Sequence, residues 1–355
     1  MQRPVCSSFN SYSIFKTADH FKMPSTIRSY VLPDLHALCA WKSGFNPHHA
    51  EAKAASQKWV LGFKAFSGKK LEFFNQGGSE LLCSYVYWYA GLEQLRTACD
   101  FVNLLFTIDE ISDEQNGEDA VKTGEIVLNT LLDEAYNDGS MLCRMTKDFR
   151  ARFFPHTGPA TLRRFLKHTE AYVHGFGREA ELREAGVVLD VESYNVLRRE
   201  NSAVRYCFGL FGFLLGLDLP DEIFEHPIMM EMHLAAVDMV TWSNDLYSYN
   251  MEQAMGHLTN NVLTVLMKEK NTDLQGAANL VGEHFKNLSD KFEALRLALP
   301  SFGEEMDYVV SKYIMAMQSW VSGNLDWSFA TLRYFGADHM KVKETLVVQL
   351  YPTRK

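Results

Sequence analysis

Apolar residues recur along most of this chain at the three-to-four-residue spacing of an α-helix. The pattern predicts helices over His49 to Phe63, Ser79 to Phe106 with a break near Gly91, Asp119 to Leu132, Pro159 to Ala180 and Tyr194 to Gly216. It continues over Pro227 to Glu252, Asn261 to Lys268, Leu274 to Leu299 and Glu304 to Trp320. No strand-like alternation and no internal repeat interrupts it, so the expected fold class is all-α, a single-domain helical bundle. Residues 1–25 are Ser-rich and aperiodic and are expected to be poorly ordered. The domain is placed over residues 26–345, with 346–355 as a C-terminal tail. Arg150 to Pro155 reads as a loop, and Phe335 to Lys343 as a mobile loop able to close over a site.

Composition narrows the class. With 355 residues, 47% hydrophobic, the chain can bury a sizeable core. A net charge of −9 argues against nucleic acid as a partner, because phosphate neutralisation needs basic surface. The six cysteines form no C-x-x-C pair and read as buried free thiols of a reducing compartment. The longest apolar run, Tyr206 to Leu217, is too short to span a bilayer. With no secretory leader evident, a cytoplasmic protein is expected, either a monomer or a homodimer.

Candidate chemistry lies at the end of the apolar stretch that begins at Pro227. Asn244, Ser248 and Glu252 recur every four residues, so an amide oxygen, a hydroxyl and a carboxylate share one helix face. Such an all-oxygen column suits Mg²⁺ rather than zinc or copper. The bland alternative is a solvated polar face. A second acidic cluster counts against it: Asp109 and Asp113 stand i, i+4 at the end of another apolar helix. Carboxylates there oppose the helix dipole, a cost that a bound cation would offset.

On these residues the chain resembles the class I terpene synthases, in particular fungal, basidiomycete-like sesquiterpene synthases. Asp109-Glu110-Ile111-Ser112-Asp113 looks like the D-[DE]-x-x-D motif, and Asn244, Ser248 and Glu252 match N-D-x-x-S-x-x-x-E residue by residue. The resemblance implies three Mg²⁺ ions gripping a prenyl diphosphate, most simply farnesyl diphosphate. Arg198, 46 residues before Asn244, matches the family's diphosphate sensor, with Asn201 as linker and Ser202 as effector. The family often has Asp at the linker. Arg333-Tyr334 resembles its diphosphate-binding Arg-Tyr pair. Where many relatives carry a lysine before the last glutamate of the second motif, this chain has Met251.

Ionisation would leave an allylic cation that water quenches, so an apolar pocket with aromatic faces is expected. Phe106, one turn from Asp109, and Trp327 are the foremost candidates, ahead of Trp88, Phe208 and Phe211. No general base stands out. The expected product is a cyclic sesquiterpene, with 1,11 closure of the protoilludene type the favoured contour. An acyclic terpene alcohol (nerolidol or linalool type) is the alternative. A non-catalytic isoprenoid-binding helical protein would have no use for two metal columns and paired arginines. A chain-elongating prenyltransferase would need a second aspartate-rich motif, and a di-iron bundle Glu-x-x-His pairs; this chain has neither.

Overall fold

The computed structural model describes residues 28–112 and 114–352. The segment 1–25, Cys6 and Asp113 lie outside the described residues. The predicted helices are present, in places longer, except that Tyr194 to Gly216 is broken into three. A short α1 (Leu35–Leu38) precedes α2 (His49–Phe63), α3 (Gly68–Gly77) and α4 (Ser79–Val86). Then come α5 (Leu92–Ser112), α6 (Gly117–Leu132), α7 (Met141–Phe153), α8 (Pro159–Glu184), α9 (Val191–Asn201), α10 (Val204–Phe208), α11 (Phe211–Leu215) and α12 (Asp221–Phe224). The last are α13 (Pro227–Met255), α14 (Val262–Glu269), α15 (Leu274–Ala298), α16 (Glu304–Ala330) and α17 (His339–Thr345).

Helix α13 is the axis of the bundle, packed by α9, α14, α15 and α16. It is apolar on nearly every side, as a helix buried on all faces must be. Pro227 opens it, where a missing N–H costs nothing, and Gly256 ends it at φ 86°. Helix α16 lies close on α4. A Cβ on Gly323 would stand 2.8 Å from the Tyr85 carbonyl carbon, so only glycine permits that approach.

Several sequence-based boundaries change. Arg150 to Pro155 is not a loop: α7 runs through Phe153 and a 3₁₀ turn follows. Its apolar face, Leu142, Met145, Phe149 and Phe153, is buried between more numerous polar residues that masked the period. Phe335 to Lys343 is a 3₁₀ turn leading into α17, anchored by Phe335 stacked on Phe329 and by the His339 ring nitrogen against the Phe329 carbonyl. Helix α3 was not foreseen; its sequence is polar and glycine-bounded. Arg163 on α8 is exposed. Arg164 is buried and bound to Asp221.

The segment expected as a tail contributes a strand, β2 (Val347–Gln349), antiparallel to β1 (Ser29–Val31) with Tyr30 opposite Val348. Among the described residues all five cysteines are free, four of them buried. No described helix is long and apolar enough to cross a membrane.

Candidate active site

A cavity of about 430 Å³ opens beside α13, walled by α5, α8, α9, α10 and α16. Its two ends differ chemically. The outer end carries Asp109, Glu110, Arg183, Arg333, Asn244, Ser248 and Glu252; the inner end carries Val102, Leu105, Val204, Val240, Trp320 and Trp327. Asp109 is half exposed, whereas Val240 and Trp327 are each 2% exposed, so one end meets solvent and the other is dry.

Asn244, Ser248 and Glu252 all reach this space from one face of α13, as the four-residue spacing requires. Burial pushes the Glu252 carboxyl up to about 7, with the Asp245 charge adding to it; bonds from Ser248 and Asn261 and the charge of Arg198 pull the other way. Asn261 holds one Glu252 oxygen through its Nδ2 at 2.9 Å. Asp109 lines the same cavity from the last turn of α5, which continues to Ser112 rather than stopping at Phe106. The donors are a carboxylate pair, an amide and a hydroxyl, all oxygen. A buried carboxylate whose charge burial disfavours is what a divalent cation would complete, so the residues fit such an ion.

Arg198 is not a solvated surface charge. Its side chain is 13% exposed and its Nη2 and Nε donate to Asp245 Oδ1 at 2.8 and 3.0 Å. Asp245 also accepts from the Tyr194 hydroxyl and from Val262 N–H. Nη2 further donates to Asn244 Oδ1 at 2.9 Å. Helix α9 ends at Asn201, Ser202 caps it, and Ala203 takes a left-handed φ of 60° before α10 starts. The chain thus breaks just after Arg198, inside the stretch where the apolar period predicted one helix from Tyr194 to Gly216. Asn201 and Ser202 both line the cavity, and Asn201 donates to Glu179 at 2.7 Å.

Arg333 extends from beyond α16 toward the aspartate end of α5, 3.7 Å from Asp109 and 4.0 Å from Glu110, with its guanidinium 5.1 Å from the Phe106 ring centre. Tyr334 is buried and accepts from Asn244 Nδ2 at 2.7 Å. Trp327 stands edge-on to Tyr334 at 5.5 Å and 6.5 Å from Phe106, its indole N–H bound to the Gly77 carbonyl at 3.1 Å. The unforeseen α3 therefore forms part of this wall, with Phe73 lining it.

Three aromatic candidates fall elsewhere. Trp88 is partly exposed and bonds Ser319. Phe208 and Phe211 line a separate small void with His168 and His233. Conversely, Arg183, Glu179 and His257 line the cavity without a motif to mark them. Arg183, on α8, donates to the Ser112 and Gln115 carbonyls at the end of α5.

A fold and cavity of this kind, with oxygen-bearing side chains from two helices, define a class that comparison identifies. The model of terpene synthase family 2, C-terminal metal binding, matches residues 100–291. Three curated fungal relatives align along nearly their whole length. Linoleate 10R-lipoxygenase COP4 of Coprinopsis cinerea is 48% identical over 93% of this chain and 96% of its own. Bifunctional terpene synthase Agr4 of Cyclocybe aegerita is 46% identical over 91% and 94%. Sesquiterpene synthase 1 of Postia placenta is 38% identical over 91% and 96%. Germacradien-4-ol synthase of Streptomyces citricolor superposes with a TM-score of 0.72 at 22% identity, covering 81% of this chain and 96% of that one. The chain belongs to the terpene synthase family, and its fold is the all-α fold of class I members.

Proposed function

We propose that the protein is a Mg²⁺-dependent sesquiterpene synthase that ionises farnesyl diphosphate and guides the resulting cation to a cyclic hydrocarbon. The observation that carries this reading is one cavity with an oxygen-ligand and arginine end and an apolar, aromatic end. Asp109, with Asp113 beside it in sequence, would hold ions on one side; Asn244, Ser248 and Glu252 would hold another. When bound, these ions neutralise charge on the departing diphosphate. Arg198 and Arg333 suit its recognition, because a guanidinium presents paired donors to phosphate oxygens. Asn201 and Ser202 stand at the break between α9 and α10 as linker and effector. Phe106 and Trp327 offer faces to a cation where water is excluded. Relatives named as sesquiterpene synthases support a fifteen-carbon substrate. An oxygenase, as the Coprinopsis relative is named, would use another ligand set: a non-haem iron site takes two histidines and a carboxylate, and among the described residues His257 is the one imidazole lining this cavity.

The test is incubation with geranyl, farnesyl and geranylgeranyl diphosphate, with Mg²⁺ or with chelator. Diphosphate release and headspace mass spectra are read together. Farnesyl diphosphate should give diphosphate and a cyclic C15 volatile only with Mg²⁺, and Glu252→Gln should lose release by orders of magnitude while folded. Release that survives both chelation and Glu252→Gln would sink the assignment.

A further inference from the structure

The last four carbonyls of an α-helix have no partner inside it. In α5 they belong to Asp109, Glu110, Ile111 and Ser112, the stretch that bears the aspartate motif. Two find partners nearby in the chain. Ser112 Oγ donates to the Asp109 carbonyl at 3.1 Å, and Glu114 N–H to that of Ile111 at 3.3 Å. The other two are met by cations from distant helices. Lys70 Nζ, on α3, donates to the Glu110 carbonyl at 3.2 Å. Arg183 Nη2, on α8, donates to the Ser112 and Gln115 carbonyls, both at 3.4 Å, and Ser112 also accepts from Gln115 N–H.

A helix C-terminus carries partial negative charge, and Asp109, Glu110 and Glu114 add carboxyl groups to it. Without a bound metal this turn is the part of α5 most prone to fray. Cations at a C-terminus oppose that. Lys70 acts twice, since its Nζ also lies 2.9 Å from Glu114 Oε1. The ammonium stands 5.3 Å from the centre of the Phe66 ring. Arg183 lines the cavity, whereas Lys70 does not. Lys70 therefore reaches the site only through α5.

We infer that Lys70 is a positioning residue: with Arg183 it clamps the last turn of α5 in helical form, so that Asp109 is held in place before a divalent cation binds. The inference rests on the reading of Asp109 as a metal ligand. Clamp and bystander differ in sign. A bystander cation this near only repels Mg²⁺, so its removal tightens metal binding. Removing a clamp weakens it, because a frayed turn is competent for part of the time and apparent affinity falls in proportion.

Hydrogen exchange in the metal-free protein reads the clamp directly. Lys70→Met keeps a stem and removes the charge. It should speed exchange of the Glu114 and Gln115 amides, which bond to α5 carbonyls, and leave the other helices unchanged. Calorimetry with inorganic pyrophosphate across a Mg²⁺ series reads the consequence. The Mg²⁺ midpoint should rise about two- to fivefold, the range a charge at a helix end commands. Lys70→Arg keeps a cation and should restore both. Unchanged exchange in Lys70→Met would overturn the proposal. So would a midpoint that falls or stays put, the mark of a bystander. A defect shared equally by Lys70→Arg would mark packing rather than charge and overturn it too. A wild type with no Mg²⁺-dependent pyrophosphate binding would overturn the metal reading and the positioning role with it, while the exchange data still show whether the cap exists.

Discussion

Trp327 shows how one side chain serves both wall and scaffold. Its N–H ties α16 to the end of α3 through the Gly77 carbonyl, and its ring faces the inner cavity with Phe106 and Tyr334 nearby. If its face stabilises a cation formed after the diphosphate has left, removing it costs about 2 kcal/mol at that point. That is a roughly thirtyfold shift between competing branches. Trp327→Ala should keep diphosphate release and divert product toward acyclic or singly cyclised compounds. Truncating a buried aromatic also costs ~3–5 kcal/mol of stability, so folding must be verified first. An unchanged product profile in the folded variant would reduce Trp327 to packing. The hydrogen bond to Gly77 had no counterpart in the sequence reading, because it joins residues 250 positions apart.

Helices α8 and α13 meet through a pair of stacked histidines, His168 and His233, with ring centres 6.1 Å apart. Both are at most 5% exposed. Burial pushes His233 down to about 3, with Arg205, Arg164 and Arg199 adding to the effect; burial likewise lowers His168, with Arg205 next. In the unfolded chain each would titrate near 6.5. Between that value and the folded one the unfolded state holds more protons, so stability is full above pH 6.5 and declines on acidification. Each histidine contributes a slope of at most about 1.4 kcal/mol per pH unit. His233→Phe, a ring matched to Phe208 and Phe224 beside it, should flatten the fall in urea-unfolding stability between pH 6.5 and 5. An identical slope in both proteins would refute the account. The sequence reading singled out neither histidine, and their pairing across two helices was not legible.

The two ends of the described chain close the bundle. Strand β2 pairs with β1, and beyond it Asn250 and Gln253 of α13 hold the chain through Gln349 and Tyr351. Tyr30 adds a bond from its hydroxyl to the Leu246 carbonyl. These contacts grip the turns of α13 that bear Ser248 and Glu252, from the side away from the cavity. Deleting residues 346–355 removes the three hydrogen bonds from Gln349 and Tyr351. At about 1 kcal/mol each, these bonds alone are a loss of about 3 kcal/mol, and the β1–β2 pairing goes with them. The denaturation midpoint should fall and Mg²⁺-dependent diphosphate release with it, although none of the segment's described residues lines the cavity. A truncated chain with wild-type midpoint and release would show the clasp to be idle.

The helical period specified the all-α class and most helix positions, because each helix must bury one continuous face wherever it packs. The i, i+4, i+8 oxygens placed Asn244, Ser248 and Glu252 on one face, because backbone geometry alone guarantees it. Helices α3 and α7 escaped because their polar residues outnumber the apolar ones that packing buries. Only tertiary structure brought Asp109 and Glu252 to one cavity, gave Arg198 to Asp245, removed Phe208 and Phe211 to another void and turned an expected tail into a strand. Each of these depends on which distant segments meet, and local spacing carries no information about that.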